Sequence, residues 1–244
     1  MQASSTRPLL IWDLPTRLFH WLLVISIVGC FVTIKVGGLW MDWHVRFGLL
    51  ALGLLAFRLV WGLIGGYYSR FSHFLPNPIR SLRYLRDKPA VYPGHNPVGA
   101  WSVWIMLIVF GFQAVSGLFA NDDIFTSGPL AYLSSDWSKT LTGLHKANEW
   151  IMLAIIGLHI LAIFLYRVLG GQKLTSVMVK GSMPVPSEQA LPASTDTWKT
   201  RFLALIVVAL IAWGVYWITG LAPAGGGMDD RVHRSSPFGG ERRS

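Results

Sequence analysis

The chain has 244 residues, of which 52% are hydrophobic and 14% charged, and it carries a formal net charge of +9. A mean hydropathy of +0.47 excludes an ordinary soluble domain. The basic residues gather in segments between greasy runs, which excludes nucleic-acid binding.

Five apolar runs, 18–34, 45–66, 99–120, 147–169 and 202–219, are each near the roughly 20 residues that a membrane-spanning helix needs. A backbone in hydrocarbon must satisfy its own polar groups, so each run is expected to be helical. The first run lacks an A-x-A cleavage pattern and reads as a retained span. Its helix should start at Asp13-Leu14-Pro15, an N-cap followed by a proline in the first turn. The second should start near Asp42. Beyond Pro78, Ile79, Leu82 and Leu85 recur at helical spacing with arginines between them, which reads as a short helix on the membrane surface or as a solvated basic loop. Asn96 and Pro97 open the third span as N-cap and first position. Residues 171–200 are rich in Pro, Ser and Gly and read as a linker, 201–220 as an additional span, and 221–244 as a disordered tail. Trp12, Trp40, Trp43, Trp61, Trp101 and Trp137 fall near run ends, where indoles favour the interface.

Arg70, Arg80, Arg83, Arg86 and Lys88 lie between runs two and three, and Arg167, Lys173, Lys180, Lys199 and Arg201 flank the link between runs four and five. The loop between runs three and four holds Asp122, Asp123 and Asp136 against one Lys139. The excess of Lys and Arg therefore places the N-terminus and the 171–200 segment in the cytoplasm and the C-terminus outside, in the periplasm of a bacterial inner membrane.

Four of seven histidines, His20, His44, His145 and His159, lie in or at the edge of the runs, where ionisable residues are rare and usually functional. Following the orientation, His44 and His145 fall near the outer face, and His20 and His159 toward the cytoplasm. Fourteen residues separate His145 from His159, about 40° short of four full turns and roughly 21 Å along a helix, so both lie on one face. Two imidazoles from different helices at each of two levels suit a planar macrocycle better than zinc, which would recruit four ligands at one centre. Haem iron takes two axial imidazoles and then has no open site, which makes a pair of such haems an electron wire. Arg58 lies 14 residues beyond His44 and either meets an anion such as a haem propionate or snorkels to the cytoplasm. Gly48, one turn after His44, would let a flat ring approach or simply permit close helix packing. Arg46 and Lys146 flank the outer pair, and Arg17 precedes His20 by one turn; each is a propionate partner or a solvated charge. His95 is open between an inner propionate contact, a quinone-site residue and a capping residue. Glu149 either relays protons or pairs with Lys146.

The segments WDLPTRLFHW, HVRFGLLALGLLAFRLVWG, YPGHNPVGAW and HKANEWIMLAIIGLH together resemble the prokaryotic di-haem cytochrome b561 superfamily, which includes cytochrome b subunits of nickel-iron hydrogenases and gamma subunits of formate dehydrogenases. The likeness covers about residues 8–170. It implies an all-α integral membrane fold: a four-helix bundle over residues 1–170 that holds two b haems, plus the additional fifth helix. It also implies His20, His44, His145 and His159 as ligands, paired His20 with His159 and His44 with His145. It further implies electron exchange with a membrane quinone or a redox partner such as a hydrogenase, a dehydrogenase or a c-type cytochrome. The competing reading is a proton-coupled transporter or channel using the same intramembrane His, Arg and Glu.

Overall fold

The computed structural model describes residues 5–87, 92–122 and 126–222. The tail beyond residue 222 lies outside the described residues. In chain order the elements are β1 (Thr6–Leu10), α1 (Leu14–Val36), α2 (Met41–Ile64), α3 (Pro78–Asp87), α4 (Pro97–Phe119), α5 (Ser135–Gly170), α6 (Leu174–Lys180), β2 (Ser182–Pro186) and α7 (Trp198–Thr219). Among the described residues, α1, α2, α4, α5 and α7 are the five helices long and apolar enough to cross a membrane. The protein is an all-α, multi-pass membrane protein, with one small sheet among the described residues.

Local chemistry sets the helix boundaries. The Asp13 carboxylate accepts from the Thr16 amide, and the Asn96 side chain accepts from the Gly99 amide, each just before a proline-bearing first turn. Ser134 caps α5, which begins 12 residues before its apolar run and closes on Gly171 in the left-handed conformation. The surface helix after Pro78 is present as α3, and Ile79, Leu82 and Leu85 remain exposed on it.

The bundle is a chain of pairwise contacts: α1 packs on α2, α2 on α4, and α4 on α5. The additional helix α7 packs on α2 and, more lightly, on α1. At Gly53 the two helices pack at ordinary van der Waals distance, a Cβ there lying 3.7 Å from Ile211 and Val215. Mid-bundle, Leu55, Phe110 and Met152 form a buried apolar layer with Leu23, Ile27 and Ile156 packed against it.

The 171–200 segment is not a plain linker. It supplies α6 and β2, and β2 pairs antiparallel with β1 in the register Thr6 to Pro186 through Leu10 to Ser182. Leu9, Ile11, Trp12, Tyr68 and Val185 form the core of this cap, with Val177 and Met183 packed against it. Ser194 adds a hydroxyl bond to the Ile11 carbonyl and an amide bond to the Leu10 carbonyl. Burial of apolar surface from two distant stretches stabilises the cap, so neither stretch looks like folded structure alone. Two interface tryptophans are likewise corrected. Trp12 is in the cap core, and Trp61 is fully buried and donates its indole N–H to Asp13. Trp40, Trp43, Trp101 and Trp137 are exposed at helix ends as expected.

Asp13 joins these parts. It is fully buried and accepts from the Thr16 amide (2.8 Å), the Gly66 amide (3.0 Å), the Ser69 hydroxyl (3.2 Å) and Trp61 (3.2 Å). One carboxylate thus binds the start of α1 to the end of α2.

Candidate functional site

The loop end of the bundle, opposite the cap, contains a cavity of about 410 Å³. That lies within the range of about 300–1,000 Å³ usual for small-molecule sites. Its walls include His44, Gly48, Gly117, His145, Lys146 and Glu149, and Leu55 and Met152 from the apolar layer close its depth.

His44 and His145 face each other there, with ring centres 6.3 Å apart and planes crossed at 86°. Two imidazoles on opposite sides of one metal, each about 2 Å from it through nitrogen, have ring centres about 6 Å apart. Backbone carbonyls hold both rings. His44 Nδ1 lies 3.0 Å from the Cys30 carbonyl, and His145 Nδ1 lies 3.0 Å from the Gln113 carbonyl. A carbonyl accepts only from N–H, so the network assigns the proton to Nδ1 and the lone pair to Nε2 in each ring. That is the tautomer in which a histidine binds a metal, with its second nitrogen fixed by an outer partner. The Gln113 side-chain amide lies 3.2 Å from His145 Nε2, and Asn148 donates to the other end of that amide at 2.8 Å. A Cβ on Gly117 would press on His145 at 3.0 Å, whereas one on Gly48 would meet nothing within 4 Å. Gly48 therefore leaves open space rather than permitting protein packing.

The cap end brings together the other candidates. His20 lies on α1, its ring edge-on to Trp21 at 5.0 Å, and His159 lies on α5. His20 Nδ1 is buried without a partner. Arg58 is 3% exposed, and neither Nη1 nor Nη2 has a hydrogen-bond partner. Its guanidinium lies 4.6 Å from the Phe71 ring centre, a contact that offsets only part of the cost of burying the charge. His95 is held between Trp12 (4.7 Å) and Phe74 (4.3 Å), and Asn96, not His95, caps α4. Burial first, then the charges of Arg58 and His159, push the His95 imidazole down to about 3. His95 is therefore neutral near neutral pH.

Other candidates are placed elsewhere. Arg17 donates to the Val179 carbonyl at 2.8 Å and lies 4.0 Å from Asp196, which commits it to the cap. Arg46 stacks over Trp43 at 4.9 Å on the exposed side of α2. Glu149 pairs with Lys35 of α1 at 3.4 Å rather than with Lys146. Among the described residues no cluster of three or more His, Cys, Asp or Glu could hold a bare metal ion. A facing histidine pair beside a cavity, His44 with His145, without a full donor set, suits a metal that arrives inside its own macrocycle.

Residues 11–181 match the family model for prokaryotic cytochrome b561. The chain belongs to this family. As a b-type cytochrome it is a haem b protein of electron transport. Its curated relatives include the probable Ni/Fe-hydrogenase B-type cytochrome subunit of Azotobacter chroococcum, 23% identical over 70% of this chain and 86% of the relative. The corresponding subunit of Cupriavidus necator is 21% identical over 73% and 88%. The probable Ni/Fe-hydrogenase 1 B-type cytochrome subunit of Escherichia coli K12 is 21% identical over 70% and 88%. No solved structure matches the chain significantly. Reading the cytochrome from its sequence missed Gln113, Asn148, the Cys30 carbonyl and Ser116, whose hydroxyl lies 3.1 Å from His145 Nδ1. The three side chains did leave a signal, as polar groups inside apolar helices; the carbonyl left none.

Proposed function

We propose that this cytochrome carries electrons across the membrane through two bis-histidine b haems, between a membrane quinone and a redox partner protein. His44 and His145 would hold one haem, and His20 and His159 the other. The observation that carries this reading is the crossed His44–His145 pair, with both Nδ1 atoms on backbone carbonyls beside an open cavity. Held by these imidazoles, haem b would supply an iron that takes up and releases one electron. The chain's own residues do the rest. The carbonyls of Cys30 and Gln113 fix the ring planes, Gly48 keeps the cavity open, and Lys146 brings positive charge to its wall. The Leu55–Phe110–Met152 layer keeps water out between the two levels.

The relatives' names favour a nickel-iron hydrogenase as the partner. The pairing of β1 with β2 puts the N-terminus and the 171–200 segment at one end, and the basic loops favour the cytoplasm for that end. A pyridine haemochrome assay on purified protein should give two non-covalent b haems per chain. His44→Ala and His145→Ala should remove the same haem, and His20→Ala and His159→Ala the other. A colourless preparation, or loss of one common haem in His44→Ala and His159→Ala, would overturn the reading.

A further inference from the structure

Buried N–H groups without partners are scarce in folded proteins. Four of the seven buried, unpartnered side-chain atoms among the described residues belong to Arg58 (Nη1 and Nη2), His95 (Nδ1) and Trp104 (Nε1). Two phenylalanines gather them. Phe71 lies 4.6 Å from the Arg58 guanidinium and 4.8 Å from the Trp104 ring, and Phe74 lies 5.7 Å from Arg58 and 4.3 Å from His95. Among the described residues the charge of Arg58 makes no ion pair. The carboxylate whose field reaches it, Asp13, is already taken up by Thr16, Trp61, Gly66 and Ser69.

We propose that Arg58, His95 and Trp104 form a carboxylate site whose occupant is a propionate of the cap-end haem. This rests on the two-haem reading above. Phe19 and Phe57, the chain neighbours of His20 and Arg58, meet with ring centres 6.5 Å apart, so Arg58 lies at the level of that haem's ligand His20. A propionate supplies the negative charge that a buried guanidinium requires and accepts from the neutral N–H groups at the same time. A quinone carbonyl would accept hydrogen bonds but leave the Arg58 charge unbalanced.

The test is a redox titration of the full-length protein, with the cap-end haem identified as the one missing from His20→Ala. Arg58→Gln should lower its reduction equilibrium constant about tenfold, about 59 mV for one electron. Trp104→Phe keeps the ring on Phe71 and removes only the N–H; it should shift the same haem in the same direction by less, at unchanged thermal stability. Because Trp104 is uncharged, its shift should disappear when both chains are reconstituted with the dimethyl ester of haem. Two bound haems with neither potential moved, or a Trp104→Phe shift that survives esterification, would refute the cradle while leaving the two-haem reading intact. A wild-type chain with no haem that His20→Ala removes would sink both.

Discussion

Removing the Asp13 carboxylate should loosen the cap end more than any other single change at a polar position there. Asp13→Ala leaves four buried donors facing a void: the amides of Thr16 and Gly66, the Ser69 hydroxyl and the Trp61 indole. Hydrogen bonds to a charged group contribute about 1.5–3 kcal/mol each. The four are not additive, and water can reach a helix end, so the net loss is about 3–5 kcal/mol. Asp13→Asn keeps one acceptor oxygen and should lose about half as much, roughly 2 kcal/mol. The assay is thermal unfolding in detergent, followed by the Soret band and by near-ultraviolet circular dichroism. Trp61 is fully buried and stacked on Phe57 at 5.4 Å, so it should give a fixed aromatic signal. His20 lies two turns beyond Asp13 on the same face of α1, so under the proposed two-haem arrangement the cap-end haem should be released before the other. An Asp13→Ala protein that melts with the wild type and keeps its aromatic signal would show that the four bonds do not hold the helices together.

Further outcomes follow from open space, crowding and charge. Gly48→Leu should fold normally, because its side chain enters the cavity, and should bind one haem fewer by haemochrome assay. Gly62→Ala should destabilise by about 1–3 kcal/mol in the same thermal assay, because its methyl group overlaps the Phe71 ring. Burial alone would push the Asp196 carboxyl up, but the Arg201 hydrogen bond, the Leu14 amide and the charges of Arg201 and Arg17 outweigh it and hold it low. A depressed carboxyl contributes its stability above its unfolded value, about 3.9, and loses it as pH falls through the folded value. Stability of the wild type should therefore fall more steeply than that of Asp196→Asn below about pH 4, and the two curves should run parallel at neutral pH.

The spans, the Asp13 and Asn96 caps and the surface helix were legible because each rests on residues close in sequence. The histidines were legible because an imidazole in hydrocarbon is conspicuous in a one-dimensional reading. The cap was not, since Leu9 and Val185 bury each other from stretches that precede and follow the first four spans in the chain, and neither stretch has an amphipathic period of its own. Trp61 looked interfacial by position; its contact with Asp13 is set by how α2 crosses α1. Glu149 was open between a proton relay and a pair with Lys146 in its own helix, and Lys35 reaches it from α1. Lys35 is 71% exposed, so this pair contributes at most about 1 kcal/mol. The carbonyls that steer His44 and His145 had no signature, since every residue carries one.

The sheet also imposes an order on biosynthesis. β1 leaves the ribosome before the first span, whereas β2 follows the fourth, with Leu10 and Ser182 as neighbours in the finished ladder. At about 5–20 residues per second the first strand waits on the order of 10–30 s for its partner. The cap can therefore close only after α1, α2, α4 and α5 have been synthesised, and its closure marks a bundle whose four histidine-bearing positions are all present.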